Sequence, residues 1–270
     1  MQDALENYLY PVRDRILNQA NLAGNETLLD VGCGDGLVAF GALEKFPYSQ
    51  VIFSDISEDL LSVCHSIAAE MGVSERCRFV RLAADDLNAI GDESVDVVTT
   101  RAVLIYVKPK QRAFGEFYRV LKPGGRISIF EPINRFGFPS PPNQLAGYDL
   151  SAVPDLIRKV RAVFSRFQGE DNPMVDFDER DLLVLAEESG FKEIHMKYWA
   201  DIQADPRIYD WESFLKTAPN PLVPTLEEAV SQALTPEEAE RFIACLRPLV
   251  ENTRPVTRMA HAHLWAIKQS

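Results

Sequence analysis

The chain predicts an α/β fold: an open parallel sheet with helices on both faces. Short apolar runs and amphipathic segments alternate through residues 27–130, the rhythm that builds βαβ units. The run Val95-Asp96-Val97-Val98-Thr99 is nearly all β-branched, which suits a strand buried on both faces. The first apolar run, Leu28-Leu29-Asp30-Val31, leads straight into Gly32-Cys33-Gly34-Asp35-Gly36. A turn that tight needs positive φ or a bare backbone that a ligand can approach, and glycine supplies both.

Taken in order, residues 1–20 carry apolar side chains at helical spacing (Leu5, Leu9, Val12, Ile16, Leu17), with Tyr8 and Tyr10 just before Pro11. Residues 27–31 are the first strand. A helix follows from about Gly36 to Phe46 and stops at Pro47. Residues 51–55 form the second strand. Ser57 is placed to cap a helix carrying Leu60, Leu61, Cys64 and Ile67, which stops near Gly72. The third strand is 78–82, the fourth 95–99, the next helix 109–120. Pro123-Gly124-Gly125 is a turn, and 126–130 the fifth strand.

After Pro132 the rhythm breaks. Residues 133–175 are rich in Pro, Gly and Asn, with a short amphipathic helix around 154–167. Asp178 caps a helix that ends at Gly190, and 191–199 alternate as a strand. Residues 201–257 read as a second irregular block. Its Thr235-Pro236-Glu237-Glu238 is a capping box opening a helix to about Val250. Residues 259–268 close the chain as a strand. The expected organisation is a helical cap (1–20), a core (21–132), a first insert (133–175), a core helix and strand (176–200), a second insert (201–257) and a final strand (258–270). The two inserts, about 100 residues together, are read as one lid.

The 270 residues are 46% hydrophobic, enough for a sizeable core, and carry a net charge of −12. No Lys/Arg-rich run supplies the basic footprint that nucleic acid demands. The longest apolar runs are strand-sized, so no membrane partner is expected. Met1 to Glu6 lacks the apolar core of a signal peptide, and a cytoplasmic location is expected. Cys33, Cys64, Cys77 and Cys245 are widely spaced, as in reduced thiols rather than a disulfide or metal framework. The sequence leaves the oligomeric state open.

Asp55 closes the second strand, 19 residues after Gly36. A glycine turn followed at that distance by an acid is how open α/β sheets hold an adenosine ribose. The turn is G-x-G-x-G, since Leu37 stands where a dinucleotide fold has its third glycine. Ala84-Asp85-Asp86 follows the third strand and offers an acid for an exocyclic amine.

These residues resemble the class I S-adenosylmethionine-dependent methyltransferases of small-molecule type. The resemblance covers residues 24–135 motif by motif and the last two strands more loosely. It rests on Leu29 to Gly36, on Asp55, on Ser94 to Val98 followed by Val103-Leu104-Ile105-Tyr106-Val107, and on Arg119-Val120-Leu121-Lys122-Pro123-Gly124-Gly125-Arg126. It implies a Rossmann-like seven-stranded sheet, mostly parallel with an antiparallel last strand, and a mainly helical lid. It implies S-adenosylmethionine as cofactor and a small, partly apolar molecule as methyl acceptor, the acceptor atom being carbon, oxygen or nitrogen.

The resemblance also implies roles. Gly32, Gly34 and Gly36 would let the methionine part of the cofactor lie over the turn. Asp30 would hold that loop or meet the cofactor's amino group through water. Asp55 would bind both ribose hydroxyls, Ile56 would pack on the adenine, and Ala84 would offer a backbone contact. Asp85 is favoured over Asp86 for the adenine amine, because relatives often place the acid where this chain has Ala83. Arg101 would meet the cofactor carboxylate or an acidic substrate. Tyr106 and Glu131 are the candidate catalytic groups near the acceptor, and Tyr8 and Tyr10 complete the expected substrate pocket. A nicotinamide-dependent oxidoreductase and a non-catalytic cofactor-binding protein are the alternatives. Fluorescence enhancement of NADH would mark the first, and absence of donor turnover the second.

Overall fold

The computed structural model describes residues 8–166, 172–205, 207–218 and 223–269. From the N-terminus run α1 (Tyr10–Ala20), β1 (Thr27–Val31), α2 (Leu37–Lys45), β2 (Gln50–Asp55), α3 (Glu58–Glu70), β3 (Cys77–Arg81) and β4 (Val95–Arg101). Next come α4 (Lys110–Val120), β5 (Leu121–Pro132), β6 (Gln144–Leu145), β7 (Tyr148–Asp149), α5 (Pro154–Ser165) and α6 (Glu179–Glu188). The chain ends with β8 (Lys192–Ala204), α7 (Trp211–Lys216), α8 (Leu226–Ala233), α9 (Pro236–Asn252) and β9 (Val256–Ile267). It divides into two compact units, Met1–Pro132 with Phe177–Trp199 and His261–Ser270, and Ile133–Asp176 with Ala200–Ala260.

The first unit is built on a seven-stranded sheet of order β3-β2-β1-β4-β5-β9-β8. β1 to β5 pair in parallel, and β9 pairs antiparallel with β5, Ile127 opposite Ala266 and Glu131 opposite Ala262. The predicted class holds: a mostly parallel sheet whose last strand in sequence runs antiparallel. This order departs from the β3-β2-β1-β4-β5-β6 order of dinucleotide folds.

α1 lays Val12, Ile16, Leu17 and Ala20 into the core formed with α2 and the sheet. Its carbonyl end is held by Arg126, which donates to Ala20 O and Asn21 O and pairs with Glu26 at 2.7 Å. A cation there complements the helix dipole. β5 begins five residues earlier than expected, because the turn is a bulge inside the strand. Val95 faces Leu121 but Val97 faces Arg126. Gly125 needs its bare α-carbon there, since a Cβ would lie 2.8 Å from Lys122 O. Lys122 closes the bulge onto both oxygens of Asp96 at 2.9 Å.

The second unit has its own core, in which Ile157 and Val160 of α5 pack with Leu226 and Ala229 of α8 and Phe242 and Leu246 of α9. The β6–β7 hairpin turns at Ala146 and Gly147, both at positive φ, the geometry two-residue hairpins favour. Among its described residues the block 201–257, expected to hold one helix, holds α7, α8 and α9. Thr225 and Glu228 form a capping box of the same kind as Thr235 and Glu238.

Candidate active site

The carboxyl ends of β1, β2 and β4 hold the site, where open α/β sheets place ligands. Beyond β1, Gly32, Gly34 and Gly36 have φ of 65°, 56° and 84°. A Cβ on Gly32 would strike the Val103 side chain, and one on Gly36 would lie 2.5 Å from the Phe40 ring. On Gly34 it would meet nothing within 4 Å. Two of the glycines thus let the chain pack closely, and the middle one opens onto free space.

Two carboxylates stand at this turn. Asp55, at the end of β2, accepts the Gly34 N–H on Oδ2 and the Ser57 N–H on Oδ1, both at 2.9 Å. It fixes the turn and the start of α3 together. Asp30 lies buried beneath and accepts the Thr99 hydroxyl at 2.7 Å, which ties β1 to β4. Burial pushes its carboxyl up to about 7. The thiols of Cys33 and Cys64 converge on Gly34 O, at 3.9 and 3.3 Å.

The opposite wall follows β4. Ala102 sits at φ 56°, which is costly for a residue with a Cβ. Its N–H donates to Phe130 O at 2.8 Å. The next three N–H groups, of Val103, Leu104 and Ile105, donate to the Glu131 carboxylate at 2.9, 3.1 and 3.4 Å, and the Thr100 hydroxyl does so at 3.3 Å. Glu131 is 0% exposed. Burial pushes it up to about 7, against the pull of those donors. This corrects the expectation of a catalytic, pocket-lining Glu131. Its oxygens are engaged below the 3₁₀ turn Leu104–Tyr106, so it is a positioning residue that sets where Tyr106 stands.

A cleft of about 420 Å³ lies between the walls, lined by Gly32, Asp55, Ile56, Ala84, Asp85 and Tyr106 among others. Asp85 lines it and Asp86 does not. Leu82, Ala102, Val103 and the stretch 107–109 also line it and escaped sequence reasoning. Val103 and Val107 stood in the motif quoted after the fourth strand but were given no role.

Besides Asp30, Gly34, Gly36 and Glu131, three further expected site residues lie off the cleft lining. Arg101 is off its lining and acts electrostatically on Asp30. Tyr10 is also off the lining, at the start of α1 under the Arg13 guanidinium, 4.5 Å from its ring. Tyr8 is exposed beside it. The helix α1 packs on the sheet. The histidines of β8 and β9 are structural: His195 stacks on Trp265, His261 stacks on Trp199, and His263 is buried, 3.2 Å from the Ser128 hydroxyl.

The methyltransferase domain family matches residues 29–129, the stretch that builds both walls of this cleft. The chain belongs to the class I S-adenosylmethionine-dependent methyltransferases. It is 35% identical over 195 residues to an arsenite methyltransferase of Halobacterium salinarum, covering 72% of this chain and 44% of that protein. It is 34% identical over 157 residues to a demethylmenaquinone methyltransferase of Clavibacter sepedonicus, covering 55% and 58%. The chain thus spans about half the length of these curated relatives. Among solved structures it is similar in fold to the YcgJ protein of Bacillus subtilis, with a TM-score of 0.58 and 16% identity over 97% of this chain and 99% of that one. It is similar too to phosphoethanolamine N-methyltransferase 2 of Haemonchus contortus in complex with S-adenosylmethionine, with a TM-score of 0.57 and 17% identity over 97% of this chain and 53% of that one.

Proposed function

We propose that the chain transfers a methyl group from S-adenosylmethionine to a small, partly apolar acceptor. One observation carries this reading. The bare Gly34 faces open space at a turn whose anchoring acid, Asp55, lines the same cleft as Asp85 and Tyr106.

The residues present fit the donor. Each Asp55 oxygen takes one backbone N–H and keeps acceptor capacity for a ribose hydroxyl. Ile56 is exposed beside it, as a residue that covers a flat base must be. Asp85 offers an acceptor for the adenine amine and Ala84 a backbone contact. When bound, the donor supplies an activated sulfonium methyl group, so the protein's work is orientation. Tyr106 is the catalytic candidate. It is half-exposed on the cleft, where its hydroxyl can hydrogen-bond and orient the acceptor.

The net charge of −12 supports a small-molecule partner rather than nucleic acid. No helix among the described residues is long and apolar enough to cross a membrane. A cytoplasmic location belongs to the same proposal, and the unpaired cysteines support it.

Calorimetric titration with S-adenosylhomocysteine tests the cofactor. Saturable binding is expected, and no heat at about 1 mM ligand overturns the reading. Release of S-adenosylhomocysteine from the donor in the presence of a panel of small acceptors then tests the transfer.

A further inference from the structure

The second unit contains a cavity of about 300 Å³ that belongs to none of the chemistry above. Its walls are the rings of Phe164, Tyr209 and Phe214 with Leu145, Leu226 and Pro255. Among the described residues, no charged side chain lines it. A site of this size and composition is at the small end of those that hold organic ligands, and an apolar cavity gains little from water.

Four hydroxyls also line it, and three of them have already given their protons to the protein. Thr217 donates to Ser213 O at 2.6 Å, Thr257 to Gln203 O at 3.2 Å and Tyr209 to Asp205 at 2.7 Å. The fourth, Ser213, is exposed to solvent. A hydroxyl has one proton and two lone pairs. Toward the cavity the first three can therefore only accept. A ligand carbonyl would find no donor among them, and a ligand carboxylate would also lose its hydration uncompensated. A ligand hydroxyl or N–H would find a partner.

We propose that this cavity is a binding site for an uncharged, ring-bearing molecule whose polar group is a hydrogen-bond donor, a phenol being the simplest member of the class. The site is separate from the cofactor cleft, and its occupation does not require methyl transfer.

The test compares three probes of similar shape on the full chain by calorimetry: 4-tert-butylphenol, 4-tert-butylacetophenone and 4-tert-butylbenzoate. The phenol is expected to bind saturably below about 1 mM, at least about tenfold tighter than the ketone and tighter still than the anion. Equal affinity for phenol and ketone overturns the donor rule. No binding of the phenol overturns the site. Thr217→Phe, at an exposed position on the rim, fills the cavity and is expected to abolish phenol binding while S-adenosylhomocysteine binding persists. Phenol binding that survives this change places the probe elsewhere and overturns the assignment. The probe series uses the unaltered protein and decides the matter even if the variant fails to fold. Titration with S-adenosylhomocysteine in parallel keeps a failure here separate from a failure of the cofactor reading.

Discussion

The cleft of the first unit and the cavity of the second recognise by opposite means. The cleft is made by buried or nearly buried carboxylates that aim backbone: Asp55 and Glu131 together accept N–H groups from Gly34, Ser57 and residues 103–105. The cavity is made by rings and by hydroxyls, three of which have spent their protons. Backbone geometry forced by a carboxylate demands particular residues at particular spacings, so it leaves motifs in the sequence. A ring-lined cavity demands only apolar bulk, so it leaves none.

The largest effect should come from removing the carboxylate that holds the most backbone. Glu131→Ala leaves the N–H groups of Val103, Leu104 and Ile105 without their acceptor. Each buried donor left unpaired costs about 1–3 kcal/mol, so a loss of roughly 3 kcal/mol or more is expected in urea unfolding. Hydrogen exchange should show amides 103–105 deprotected while those of α5 and α9 keep their protection. Equal deprotection of both units would break the distinction between them. Next is Asp55→Ala, which frees the Gly34 and Ser57 N–H groups and removes the proposed ribose acceptors. At least about tenfold weaker binding of S-adenosylhomocysteine is expected, read by calorimetry, and unchanged affinity would remove Asp55 from the ribose.

The same contrast explains what the sequence disclosed. The strands from β1 to β4 were legible to within a residue or two because apolar β-branched runs end at Gly, Pro and capping residues. Asp55 was legible because its spacing from the glycine turn is set by one helix. Glu131 was misread, since its partners are backbone N–H groups 26–28 positions away, and a backbone group has no sequence signature. Tyr8 and Tyr10 stand off the cleft lining, a placement the sequence did not give because an amphipathic helix does not say which neighbour it packs on. The helix α8 was missed although Thr225 and Glu228 mark its start as clearly as Thr235 and Glu238 mark α9.

A pH profile sharpens the charge side of the comparison. Burial lifts Asp30 and Glu131 to about 7, so both bind protons more tightly folded than unfolded. Their stabilisation is complete below the unfolded carboxyl range and is lost as pH rises through about 7. His263 has the opposite sign. Burial lowers it to about 4, so its contribution is present above about pH 6.5 and lost as pH falls through about 4. Between about pH 5 and 6.5 the two carboxyls outweigh the one histidine by a single proton. Stability should therefore fall by about 1.4 kcal/mol per pH unit. Glu131→Gln should bring that slope close to zero, and an unchanged slope would mean that Glu131 is ionised throughout.

The smallest effect separates two adjacent acids. Asp85 lines the cleft and Asp86 is exposed outside it. The Asp86 N–H bonds Ala83 O at 3.1 Å, a backbone contact that survives any side-chain change at either position. Loss of one charge-assisted bond to the adenine amine costs about 1.5–3 kcal/mol when buried. Asp85 is partly open to solvent, so the low end applies. Asp85→Ala should weaken S-adenosylhomocysteine about tenfold, while Asp86→Ala leaves the affinity within about twofold. Neither change should alter binding of 4-tert-butylphenol, because neither residue belongs to the second unit. The reverse ranking of the two acids would move the adenine, and with it the base-binding end of the cleft, by one residue along the loop after β3.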